Sequence, residues 1–169
     1  DMIAIDLFSQ AEHDELAQPI LISKSHLLIE SVFNSMKKLL PRMSRKKIIM
    51  ESIKNRGLFI KTNSDSETAN IVNTIAPEHL ELMYHDKKFL KQIRNAGAIF
   101  LGENSPEVFG DYCAGPNHVL PTSGSARFSS PLGVYDFLKR SSVINISKKD
   151  ANVLSLSLIH ISEPTRRKR

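Results

Sequence analysis

Apolar positions along the chain switch between short continuous runs and helical stripes, and the switching predicts strands and helices in turn. Pro19-Ile20-Leu21-Ile22-Ser23 is a short run of strand type, preceded by the polar Ser9–His13 segment, a helix or a tight turn. Leu27, Leu28, Val32, Met36 and Leu39 recur at helical spacing until Pro41 ends the pattern. A second helix is expected over Arg45–Lys54, capped by Ser44 and closed by Gly57. Leu58-Phe59-Ile60-Lys61 reads as a strand, and Ser64–Ile75 as a helix opened by the capping box Ser64-Asp65-Ser66-Glu67. Pro77 suits the first turn of a further helix carrying Leu80, Leu82 and Met83, with Phe89–Arg94 continuing as helix. Ala98-Ile99-Phe100-Leu101 is a strand bracketed by Gly97 and Gly102, and Ser105-Pro106-Glu107 starts a short helix. Residues 110–133 break the rhythm with Gly110, Gly115, Gly124 and Gly133 and Pro116, Pro121 and Pro131, a long loop of the functional kind. Phe137–Ile146 returns to strand character. Alternating strands and helices predict an α/β fold, a Rossmann-like parallel sheet flanked by helices.

Composition changes this picture little. The 169 residues, 41% hydrophobic and 24% charged, suit one globular domain, and no apolar run approaches a membrane span. The single Cys113 cannot form an internal disulfide, so a reducing compartment is expected, with Cys113 a small packed residue rather than a nucleophile. The formal charge of +5 is concentrated: Arg166, Arg167, Lys168 and Arg169 set against Glu163 leave +2 without residues 161–169. A nucleic-acid partner would rest on that one cluster and is not expected. Residues 155–169 neither continue nor cap the pattern. They resemble translated sequencing adapter, and 151–169 is expected to be a non-native, disordered tail behind a partial α/β domain at 1–150. A genuine basic tail is the alternative.

The residues that could carry chemistry are few. Glu78 and His79 place an acid beside an imidazole just after Pro77. In a helix first turn the dipole would favour the carboxylate and depress the imidazole pKa, giving a pair able to move protons. By themselves the five residues Ala76–Leu80 read as capping chemistry with a surface histidine. Gln10 and His13, three apart, would share a helix face and could ligate a metal, though Gln is an uncommon zinc ligand. Asp111 follows Gly110 in the loop and reads alone as a turn residue. His118, held between Pro116 and Pro121, suits ligand contact or a plain surface turn. His26 and His85 read as structural. No Gly-x-Gly-x-x-Gly, phosphate-cradling Gly-x-x-x-x-Gly-Lys or Gly-x-Ser-x-Gly motif is present.

Taken together, four stretches give the chain a family. Asp6-Leu7-Phe8-Ser9-Gln10-Ala11-Glu12-His13, Ala76-Pro77-Glu78-His79-Leu80, Asn95-Ala96-Gly97-Ala98-Ile99-Phe100-Leu101-Gly102, and Ser105-Pro106-Glu107 through Gly110-Asp111-Tyr112 to His118-Val119-Leu120-Pro121-Thr122 resemble histidinol dehydrogenase over about residues 3–150. Ser129-Ser130-Pro131-Leu132-Gly133 extends the match. The resemblance implies a fragment of a larger multidomain cytoplasmic enzyme. That enzyme oxidises L-histidinol to L-histidine with two NAD, uses zinc, works as a homodimer and belongs to histidine biosynthesis. By position it implies Gln10, His13 and Asp111 as zinc ligands that also meet substrate, Glu78 and His79 as the catalytic pair, and His118 as a histidine reaching substrate across the dimer interface. The NAD-binding residues, a further zinc-ligand histidine and a substrate-binding glutamate are expected outside this chain, and the fragment alone is expected to be inactive. From the residues themselves a zinc-dependent hydrolase and a non-catalytic interaction module with a basic tail remain alternatives.

Overall fold

The computed structural model describes residues 1–83 and 86–166, with backbone alone from 159 onward; Tyr84, His85 and 167–169 lie outside the described residues, and with them the reading of His85. It confirms an α/β chain. Helix α1 (Met2–Ala11) comes first and buries Ala4, Leu7, Phe8 and Ala11, spaced three and four apart. Strand β1 (Ile20–Ser23) leads into α2 (His26–Leu39), which is capped by Ser25, whose Oγ accepts from Leu28 N. Helix α3 (Lys46–Arg56) starts at Arg45 without a side-chain cap, so Ser44 does not play the expected part. Gly57 ends it where a Cβ would lie 2.6 Å from Ile53 O.

Strand β2 (Leu58–Lys61) pairs in parallel with β1, Ile20 opposite Leu58 through Ser23 opposite Lys61. Ser64 Oγ accepts from Glu67 N at the start of α4 (Asp65–Ile75), while Glu67 Oε2 accepts from Asn63 N at 2.7 Å, so the capping box forms one residue wide.

The next element corrects the sequence reading. Pro77 does not open a helix. Helix α4 closes at Ala76 in the left-handed region (φ 51), and His79–Leu82 is strand β3. After that reversal the chain leaves Pro77 extended, and alternating Leu80 and Leu82 pack on one hydrophobic cluster while His79 and Glu81 share the other face. Helix α5 (Lys87–Leu90) is a single turn capped by Asp86, shorter than expected. Strand β4 (Ala98–Leu101) pairs in parallel with β3, and Gly97 N and Ala98 N donate to Pro77 O and Glu78 O. Helix α6 (Glu107–Tyr112) occupies the start of the predicted loop, with Pro106 as its cap residue.

The parallel strands form two separate two-stranded ladders, β1–β2 and β3–β4, rather than one sheet. Each has its own core: Leu7, Phe8, Val32, Met36 and Ile49 in the first cluster, Ala69, Leu82 and Phe89 in the second. Asp1–Gly133 and Val134–Arg169 are two compact units. In the second unit the expected strand over Phe137–Ile146 does not form. Val134–Phe137 is a 3-10 turn, Val143 and Ile144 are exposed, and no described strand edge pairs with them. β-branched residues need such an edge to become a strand. Helix α7 (Lys148–Arg166) covers most of the segment expected to be disordered. Its start is locally encoded: Ser147 Oγ donates to Asp150 Oδ2 and accepts from Asp150 N.

Candidate active site

Helix α1, strand β3 and helix α6 bring a set of acids and histidines together. On α6, Glu107 and Asp111 are one turn apart and share a face. From β3 comes His79, whose Nδ1 is 3.3 Å from Glu107 Oε1, both side chains about nine-tenths buried. The ring of His79 lies 6.0 Å from that of Phe100 on β4, and Phe100 in turn fills the space against Gly110, where a Cβ would come within 2.6 Å of its ring. Ligand atoms of His79, Glu107 and Asp111 all lie within 4.8 Å of one another, close enough to converge on a cation. His118 reaches back from its loop, with Nδ1 2.7 Å from Asp111 Oδ1. Its loop is stiffened by Asn117, whose Oδ1 accepts from Val119 N.

The electrostatics follow from burial. Removal from water holds the His79 pKa below its ordinary value. Glu78 and Asp111 push it back up, while His118 and His13 push it down. Burial, not a helix dipole, therefore supplies the depression expected from the sequence. Glu107 is raised to about 7 by burial, with Asp111, Glu78 and Asp6 adding to the rise. Glu81 is raised to about 8, first by burial and then by its side-chain hydrogen bond to Asp6. A backbone hydrogen bond from Glu107 opposes that rise. Two buried polar atoms have no partner among the described residues, Gln10 Nε2 and His79 Nε2. Burying such atoms unpaired is costly.

The predicted residues thus separate into groups. Glu78, His79, Asp111 and His118 act on one another directly, and His13 acts on His79 through its charge. Gln10 is on the last turn of α1, but α1 ends at Ala11, so His13 lies in the following turn, its N–H on Gln10 O at 3.4 Å, rather than on a shared helix face. Gln10, His13 and Asp111 carry donor types that zinc accepts, while the acid and histidine atoms that converge within 4.8 Å of one another are those of His79, Glu107 and Asp111. The amide of Gln10, turned over, would aim its oxygen from the position where Nε2 is orphaned. The sequence reading passed over three participants, Asp6, Glu81 and Glu107. Glu81 was visible two residues after His79 once that stretch is taken as a strand, and Glu107 four before Asp111 once that stretch is taken as a helix. Cys113, expected to be packed, is exposed, and His26 pairs with Glu30 on the surface of α2 at 3.5 Å.

Comparison with known proteins places this geometry. The family model described as histidinol dehydrogenase matches residues 1–164, beyond the 3–150 over which the sequence motifs carry the resemblance. The histidinol dehydrogenase of Pseudomonas aeruginosa is 57% identical over 155 residues, which is 91% of this chain and 35% of that protein. That of Nitrosospira multiformis is 58% identical over 148 residues, 87% of this chain and 34% of that protein. The crystal structure of histidinol dehydrogenase from Elizabethkingia anophelis superposes with a TM-score of 0.86 at 30% identity, covering 98% of this chain and 38% of that one. The chain therefore spans about a third of the length of the curated relatives it matches. Among the described residues no helix is long and apolar enough to cross a membrane. The chain belongs to the histidinol dehydrogenase family.

Proposed function

We propose that this chain carries the proton-handling and metal-anchoring part of a cytoplasmic enzyme that oxidises L-histidinol through L-histidinal to L-histidine. The observation that carries the proposal is the buried, unpartnered Nε2 of His79, held close to Glu107 and Asp111 and within the field of Glu78. With its pKa lowered, the imidazole is neutral at working pH and its free nitrogen can accept a proton.

Each oxidation releases one hydride and one proton. Residues outside this chain would hold NAD, which when bound would supply the hydride acceptor. His79 Nε2 takes the hydroxyl proton of the alcohol as its C–H bond breaks, which leaves the aldehyde. Glu78 then removes a proton from water as its oxygen bonds to the aldehyde carbon, protonated His79 returns its proton to the former carbonyl oxygen to complete the hydrate, and the neutral His79 so restored takes a hydroxyl proton as the hydrate loses its hydride. Gln10, His13 and Asp111 would hold zinc, which when bound supplies a fixed positive charge for the imidazole and amine of the substrate and no redox chemistry. His118, beside Asp111 in its own chain, would meet the substrate of the neighbouring site in a homodimer.

The test is NADH formation from L-histidinol by a full-length protein carrying this chain. Glu78→Gln and His79→Asn are expected to lower kcat by roughly 10²–10⁴. Turnover at the unmodified rate in both variants would overturn the assignment.

A further inference from the structure

Glu107 has no role in the scheme above, yet it is one of the most buried charged groups in the chain and it faces the base directly. Only 8% of its surface is exposed. Its Oε1 is 3.3 Å from His79 Nδ1, while the other ring nitrogen has no partner. An imidazole that donates Nδ1–H to a carboxylate has its lone pair on Nε2, and one without that acceptor favours the opposite tautomer in water. We infer that Glu107 is the positioning residue of His79: by accepting from Nδ1–H it fixes both the ring orientation and the tautomer that leaves Nε2 free to take the substrate proton.

The surroundings hold Glu107 in turn. Its backbone N–H donates to the Glu81 carboxyl, and Glu81 is hydrogen-bonded to Asp6 of α1. Glu81 lies two residues along β3 from His79, on the same face. One strand therefore fixes the base and also anchors the start of the helix that carries its partner. Phe100 closes the remaining side of the ring. The arrangement has the logic by which carboxylates orient histidines at metal and acyl-transfer sites, with the carboxylate setting direction and the far nitrogen doing the chemistry.

This inference rests on His79 being the base of the proposed reaction, and the experiment separates the two. In a full-length protein labelled with ¹⁵N-histidine, long-range ¹H–¹⁵N spectra at pH 8.5, where Glu107 carries its charge, report which nitrogen of His79 bears the proton. The expected result is Nδ1–H in the unmodified protein and a shift towards Nε2–H in Glu107→Ala. The same variant should lose on the order of 10–100-fold in kcat with KM unchanged. Val108→Ala, on the exposed side of α6, should change neither tautomer nor kcat. An Nε2–H tautomer in the unmodified protein would overturn the inference without any variant having to fold, and so would an Nδ1–H tautomer that survives Glu107→Ala. A protein inert towards histidinol whose tautomer still depends on Glu107 would remove the dehydrogenase reading and leave this one standing.

Discussion

Side chains at this site are set against one another by a shortage of water, and that has a consequence for pH. Glu107 and Glu81 have folded pKa values raised to about 7 and about 8 from the ordinary carboxyl value of 4.5. Between those limits the folded state keeps protons that the unfolded chain has released, so their contribution to stability is present at acid pH and is lost as pH rises through 7 and 8. His79 works the other way. Its pKa is lowered, so the unfolded chain binds the extra proton, and stability from this group falls as pH drops below about 6.5. Two carboxyls against one imidazole decide the sign. For metal-free full-length protein, thermal midpoints should fall by a few degrees between pH 6 and pH 8.5. Glu107→Gln, which cannot ionise, should flatten that slope. A midpoint that rises over the same interval in the unmodified protein would contradict the burial of both groups.

At the scale of elements the site depends on two close approaches that only glycine permits. A Cβ on Gly97 would lie 2.6 Å from Glu78 O and 3.2 Å from Pro121 Cδ, and a backbone oxygen in a ladder cannot step aside. A Cβ on Gly110 would lie 2.6 Å from the Phe100 ring, which can turn. Gly97→Ala should therefore cost about 1–3 kcal/mol, more than Gly110→Ala. Gly110→Ala should register chiefly in kcat, because the ring it displaces borders His79. Denaturant midpoints and turnover measured on both variants check the ordering. The same elements show what could be read from sequence. β1, β2 and β4 were legible because short apolar runs between turn residues have few alternatives. The Ser64 cap was legible because its chemistry is local. The fold of Glu78-His79 was not legible: a proline before a carboxylate is also how helices begin, and only the left-handed Ala76 and the pairing with β4 decide for a strand. Glu107 was hidden because its significance lies in a partner 28 residues back along the chain. The start of α7 carries a local signal in the Ser147–Asp150 cap.

Within the Asp1–Gly133 unit, the site draws its residues from elements that pack into two separate hydrophobic clusters. Helix α1 packs its apolar face into the first, and β3 and β4 pack theirs into the second. What links α1 to the site is polar: the Asp6–Glu81 hydrogen bond, the charge of His13 acting on His79 and that of Asp6 acting on Glu107. Neither cluster alone would hold Gln10 and His13 at a fixed distance from Asp111. A cation bound by those three would tie α1 to α6 and add its binding energy to the folded state. The expected outcome is a zinc-dependent rise in the thermal midpoint of the metal-stripped full-length protein. At a hundredfold excess over the dissociation constant, that rise corresponds to about 2.7 kcal/mol. His13→Asn and Asp111→Asn should each abolish most of it, since His13 follows α1 and Asp111 lies on α6. Glu81→Ala should leave the metal-free midpoint lower but keep a zinc-dependent increment, because it loosens the polar link without removing a ligand. Equal increments in all four proteins, with zinc content unchanged by elemental analysis, would place the metal elsewhere and leave Gln10, His13 and Asp111 without that role.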